Sequence, residues 1–238
     1  IRSSTFGGII GILSTIDDEW QGYLAVVETV LQSVLSNWTY QMDISNGPKN
    51  SQTLALTLSA ETPLTPNKCN NRKRCPEHTF SFKIISGAAN VVGPSICFDG
   101  NMLMSNVKNN VGRGLNMALI NGTTGQLIKI DSFDMYSGDI NNLLNFMKGI
   151  SKGTLVLLAS YDDPATKLND EARQLFSDLG SKYASQMGFR DNWIFVGGSG
   201  LKNKSPFEQH LKNNQETNKY DGWPELLEME GCVPKKID

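Results

Sequence analysis

The chain has 238 residues, of which 39% are hydrophobic and 19% charged, and its formal net charge is −2 at pH 7. That length suits one large domain or one domain with an appendage, and the composition supports a packed core rather than a disordered chain. A near-neutral balance supplies no broad basic field, so neither nucleic acid nor an anionic membrane is a favoured partner. No apolar run approaches the roughly 20 residues of a membrane-spanning helix. The early run FGGIIGIL is too short to span. With one preceding basic residue, Arg2, and no clear small-residue cleavage site, it also reads poorly as a signal peptide.

Residues 17–38 carry Trp20, Leu24, Val27, Leu31, Val34 and Trp38 at spacings of three to four, which predicts an amphipathic helix with acids in its first turn. Residues 44–67 are rich in Ser, Thr, Pro and Asn and read as a linker with one short strand, TLALTLS, at 53–59. From Cys69 onward the texture is that of a folded domain. TFSFKIIS alternates Phe80, Phe82 and Ile84 on one side of a strand. GLNMALI and QLIKIDSF flank NGTTG, and Asn-Gly between two apolar segments signals a hairpin. GDINNLLNFMKG places Ile140, Leu143, Leu144 and Met147 at helical spacing, with Asp139 as N-cap and Gly149 as stop.

TLVLLAS, at 154–160, is a continuous apolar strand expected to be buried on both faces. A second helix follows, with Asn169 as N-cap and Asp170 and Glu171 in its first turn, where the helix dipole favours negative charge. Ala172, Leu175, Phe176 and Leu179 form its apolar stripe, and Gly180 ends it. NWIFVGG is another strand, and PELLEMEGC, at 224–232, alternates as a last one. This order predicts an α+β fold.

Four cysteines, Cys69, Cys75, Cys97 and Cys232, show no CxxC pair, and the only histidines are His78 and His210. Two disulfides are therefore favoured over a zinc site, with three connectivities open. Asn37 and Asn121 each begin an N-glycan acceptor triplet, in keeping with an oxidising, extracellular setting. A serine hydrolase is disfavoured by the scarcity of histidine and the lack of a G-x-S-x-G elbow. GGSG at 197–200 lacks the lysine of a phosphate loop, and no G-x-G-x-x-G opens a helix. No catalytic residue, metal ligand or cofactor is expected. The adjacent acids Asp162 and Asp163, taken alone, read most simply as the solvated start of a loop. Arg190 beside Trp193 at a strand mouth suits recognition of a carboxylate or a sugar hydroxyl, although a surface Arg190–Asp191 pair is the simpler reading of the pattern.

Seven segments taken in order carry a resemblance: CPEHTFSFKIISGAANVVGPSICF, NNVGRGLNMALINGTTGQL, SFDMYSGD, YDDPATKLNDEARQLFSDLGS, GFRDNWIFVGG, KSPFEQHLKNN and NKYDGWPELLEMEGCVP. Together they resemble the secreted cytokine-like family with sequence similarity three, whose members include the pancreatic-derived factor and the interleukin-like inducer of epithelial–mesenchymal transition. The resemblance covers about residues 68–236. It implies a domain over 67–238 and leaves 1–66 as a non-family N-terminal helix and linker, expected to be poorly ordered. The implied fold is a β-β-α globule in which two antiparallel sheets pack with flanking helices. The implied disulfides are Cys69–Cys97 and Cys75–Cys232. The second would constrain the unfolded chain by about 5 kcal/mol in the chain-entropy model.

Val196 stands where the inducer has the unpaired cysteine that supports covalent dimers, so a monomer is expected. The implied role is that of a secreted signalling protein acting on a cell-surface receptor, linked to glucose metabolism or gut physiology. The same domain type resembles the sugar-binding stem of a Golgi N-acetylglucosaminyltransferase. That stem's contacting arginine, aspartate and arginine fall on Arg113, Asp162 and Arg190 here. The resemblance thus implies a carbohydrate-binding pocket in which Asp162 accepts from ligand hydroxyls while Arg113 and Arg190 donate and keep it ionised. A structural salt-bridge cluster ordering the strand mouths is the competing reading.

Overall fold

The computed structural model of the chain describes residues 67–235. The helix expected over 17–38, the strand expected over 53–59 and Asn37 lie outside the described residues. The described elements, in chain order, are β1 (Thr79–Ile85), β2 (Ser95–Phe98), β3 (Asn101–Met104), β4 (Gly114–Asn121), β5 (Leu127–Phe133), α1 (Ile140–Lys148), β6 (Thr154–Tyr161), α2 (Asp170–Asp178), β7 (Asn192–Gly198), β8 (Phe207–Leu211) and β9 (Glu228–Pro234). They form a four-stranded sheet ordered β3-β2-β1-β9 and a five-stranded sheet ordered β5-β4-β6-β7-β8. Every neighbouring pair is antiparallel.

Side-chain alternation sorts the strands into layers. In β6, Val156 and Leu158 face one core, shared with the helices, while Leu155, Leu157 and Ala159 face another, shared with the four-stranded sheet. The five-stranded sheet is therefore the middle layer of three. That is why TLVLLAS is apolar without a break, whereas β1 supplies its core residues, Phe80, Phe82 and Ile84, from one side only. β7 splits the same way as β6: Trp193 and Phe195 pack on the helical side, Ile194 and Val196 on the other. Position 196 is thus an interior one, 3% exposed.

Local signals set the helices. Asp139 accepts from the Asn141 backbone N–H to cap α1, and Asn169 accepts from Ala172 to cap α2. Beyond α2, Gly180 adopts φ +99°, and the backbone N–H of Ser181 donates to the Phe176 carbonyl. This is the left-handed glycine stop the sequence suggested. The Asn121–Gly125 segment does close the β4–β5 hairpin, but as a longer turn. Asn121 N–H donates to Gln126 and Gly125 N–H donates back to Asn121.

The last strand starts later than the alternation from Pro224 suggested, at Glu228. The Pro224 and Glu225 carbonyls accept instead from the side chain of Asn192. Both expected disulfides are formed, with Cα–Cα separations of 5.7 Å for Cys69–Cys97 and 5.6 Å for Cys75–Cys232. They use all four cysteines. Cys232 lies opposite Ser81 in the β1–β9 ladder, so the second bridge fastens the Asn67–His78 segment to the sheet that β9 completes. Replacing Cys75 and Cys232 together by alanine is expected to cost about 2–5 kcal/mol of stability in urea denaturation. An unchanged midpoint would show that the β1–β9 ladder holds this end unaided.

Candidate functional site

Strand pairing decides where the expected site residues meet. Gly114, the first residue of β4, pairs with Tyr161, the last of β6, and Ala159 of β6 faces Ile194 near the start of β7. Three strand ends therefore share one edge of the middle sheet. Arg113 directly precedes β4, Asp162 directly follows β6, and Arg190 lies just before β7. All three line one cavity of about 210 Å³, together with Asn90, Tyr136, Phe189 and Trp223. An adjoining hollow of about 500 Å³ shares Asn90, Arg113 and Asp162 and adds Asp134.

Each functional side chain is held by its own local device. At Gly114, φ is +100° and a Cβ would stand 2.0 Å from the Phe133 carbonyl oxygen, so only glycine lets β4 start against this turn. The approach brings the Arg113 guanidinium to 2.9 Å from Asp134 Oδ2 and 5.0 Å from the centre of the Tyr136 ring. Asp134 also accepts from the backbone N–H groups of Tyr136 and Ser137 and from the Ser137 hydroxyl. Desolvation pushes this carboxyl up, but Arg113 and Ser137 outweigh it and hold Asp134 well below the usual carboxylate range. Asp134 is thus the direct ion-pair partner of Arg113, while Asp162 lies near enough to add a weaker favourable field.

Asp162 instead accepts from the indole N–H of Trp223 at 3.0 Å. The Arg190 guanidinium lies 3.8 Å from the centre of the Trp223 ring and 4.8 Å from that of Phe189. Among the described residues it has no carboxylate partner. Gly222 makes room for it, since a Cβ there would stand 2.9 Å from Arg190 Nη1. Asp162 and Arg190 have φ of +60° and +58°. The left-handed region costs a non-glycine residue about 1–2 kcal/mol, and such strain clusters at binding and catalytic sites.

The two adjacent acids have different surroundings. Asp163 is 1% exposed, and its Oδ1 accepts from the backbone N–H of Ala165 and of Arg190. It props the Arg190 loop from inside, while Asp162 faces the cavity. Asp191 is the other prop. It accepts from the backbone N–H groups of Gly188 and Asn213 and meets His210 Nε2 at 2.7 Å. Burial pushes the Asp191 carboxyl up, but His210 and the two N–H donors more than offset this and lower it. On β7, Asn192 reaches the carbonyls beside Trp223, and the buried Ser160 hydroxyl accepts from the Trp193 N–H.

Sequence reasoning singled out Arg113, Asp162 and Arg190 but not Trp223, Asp134, Tyr136, Phe189 or Asn90. A tryptophan between Gly222 and Pro224 in a polar loop was the one available signal. Asn121 is exposed on the hairpin, with its side-chain oxygen accepting from the N–H groups of Thr123 and Thr124. Among the described residues, no three His, Cys, Asp or Glu side chains gather as a metal would require, and no helix is long and apolar enough to cross a membrane.

Because the Asp191 carboxyl is lowered on folding, its stabilisation is present above the usual carboxylate pKa and is lost as pH falls through the depressed folded value. Asp191→Asn should therefore destabilise the protein by about 1–3 kcal/mol at pH 7 in urea denaturation, with a gap that narrows below about pH 4. A gap that does not change with pH would remove the charge on Asp191 from the account.

Comparison with known proteins adds kinship to this geometry. A family profile described as ILEI, Interleukin-like EMT inducer, matches residues 113–201, a span that contains Arg113, Asp162 and Arg190. FAM3C of Danio rerio is 64% identical over 172 residues, 72% of this chain and 76% of that protein. FAM3D of Mus musculus is 64% identical over 183 residues, covering 76% of this chain and 82% of the relative. FAM3C of Homo sapiens is 56% identical over 198 residues, 83% of this chain and 87% of its own length. With identity this high across most of both partners, the chain belongs to the FAM3 family.

Proposed function

We propose that the chain is a secreted, cytokine-like signalling protein that acts by binding a cell-surface receptor and catalyses no reaction. The observation that carries this reading is 64% identity with FAM3C and FAM3D proteins, within a family described as interleukin-like. Two disulfides support an extracellular setting, because such bridges persist in oxidising compartments. With all four cysteines engaged, none is left for an interchain bridge, which supports a monomer. A role in glucose metabolism or gut physiology rests on the family resemblance alone. Labelled protein should bind intestinal or islet cells saturably and be displaced by unlabelled protein. Uniform, non-saturable binding would contradict the receptor reading.

A second reading, a lectin-like module, is favoured by one observation: Arg113, Asp162 and Arg190 line a single cavity with three aromatic side chains. Fixed donors and acceptors beside aromatic rings are the chemistry of sugar recognition, with rings against the apolar face of a pyranose and charged groups on its hydroxyls. The two readings are compatible, since a glycan can be the means by which a receptor is recognised. A glycan array tests the second. Retention of a defined saccharide, lost in a folded Asp162→Ala variant, is the expected result. No retention at millimolar saccharide would remove the lectin reading and leave the receptor reading standing.

A further inference from the structure

The near-neutral chain carries a local excess of positive charge that the strand-end site does not use. Residues 68–75 read KCNNRKRC, and this segment lies across the outer face of the four-stranded sheet, joined to it by both disulfides. Asn71 fastens it further by donating to the carbonyls of Phe82 and Gly231. Between segment and sheet lies a cleft of about 640 Å³, whose lining includes Lys68, Lys73, Arg74, Lys235 and Ser81. It shares no residue with the cavity around Asp162.

Charge is only partly answered there. Lys68 pairs with Asp99 at 2.8 Å, and Lys235 lies 4.8 Å from the Phe80 ring centre. Lys73 and Arg74 have no carboxylate partner among the described residues, although Glu77 also borders the cleft. The independent observation is Ser81. In β1 the Phe80–Phe82–Ile84 side faces the core, so Ser81 faces the disulfide side, where it is 3% exposed. Its hydroxyl has no hydrogen-bond partner among the described residues. A buried hydroxyl left unpaired is costly, and an oxyanion that reaches it would relieve that cost.

We infer that this cleft binds the sulfate groups of an extracellular sulfated polysaccharide. The unpaired cations Lys73 and Arg74 supply charge-assisted donors at the mouth, and the Ser81 hydroxyl donates from the floor. The disulfides rigidify the segment and suit an oxidising, extracellular setting, and a sulfated glycan is a polymeric oxyanion of that setting. The site goes beyond the receptor and lectin readings and rests only on the extracellular setting proposed with them.

Calorimetric titration of the full chain with a heparin-derived hexasaccharide tests it, with the unsulfated hexasaccharide and inorganic phosphate as comparison arms. The sulfated hexasaccharide should bind, and Lys73→Ala/Arg74→Ala should weaken it by about tenfold or more. Ser81→Ala should weaken it several-fold while leaving the Tm of the free protein equal or higher, because the hydroxyl has no partner among the described residues to lose. Equal binding of the unsulfated hexasaccharide, or phosphate binding without hexasaccharide binding, would overturn the assignment of the ligand. Equal affinity in the parent and in Ser81→Ala would reduce the cleft to a diffuse cationic surface and overturn the site.

Discussion

The structure depends on one strand being buried on both faces. β6 sits at the centre of the five-stranded sheet, with β4 on one side and β7 on the other. Its alternate side chains enter two separate cores, one toward the helices and one toward the second sheet. A strand in that position has no solvent face on which to tolerate a slipped register, since a shift of one residue would exchange the two cores. The antiparallel pairing then sets everything at its ends. Where β6 stops, β4 and β7 start, and residues 113, 162 and 190 arrive together although they are far apart in sequence.

Rigid strands bring these residues near one another, and a shell of polar contacts fixes their orientation. Asp163 and Asp191, both buried, hold the backbone N–H groups of Arg190 and Gly188. Asn192 ties the loop that carries Trp223 to the start of β7. Asp134 fixes Arg113. Exposed Arg113 and half-buried Asp162 and Arg190 thus stand outside the two buried cores. The competing reading is a structural salt-bridge cluster. In such a cluster the three charges would pair with one another. Here Arg113 pairs outside the trio, Asp162 binds an indole, and Arg190 lies against the rings of Trp223 and Phe189.

Features that depend on neighbours in sequence were legible before folding. The N-caps Asp139 and Asn169, the alternation of Phe80, Phe82 and Ile84, and the unbroken run of β6 each state their structure within a few residues. β2 and β3 were not, because four-residue strands such as SICF and NMLM are too short for a period to declare itself. β8 escaped notice because its FEQHL is half polar at a sheet edge. Family resemblance named the site triad, but its surroundings were hidden. Trp223 meets Asp162 across 61 residues, and Asp134 answers Arg113 only because Gly114 lets the β4 start close on that turn. The two adjacent acids looked equivalent in sequence. Only the fold turns one inward and the other out.

The central claim is that the left-handed, cavity-facing residues serve a ligand and not the fold. Thermal denaturation of Arg190→Gly measures this most directly. Glycine relieves the positive φ of this position while it removes the side chain, so relief of strain and lost ring stacking nearly cancel. The account predicts a Tm within about 3 °C of the parent, the shift that about 1 kcal/mol gives in a domain of this size. A fall of about 10 °C or more would make Arg190 a structural element and contradict the account.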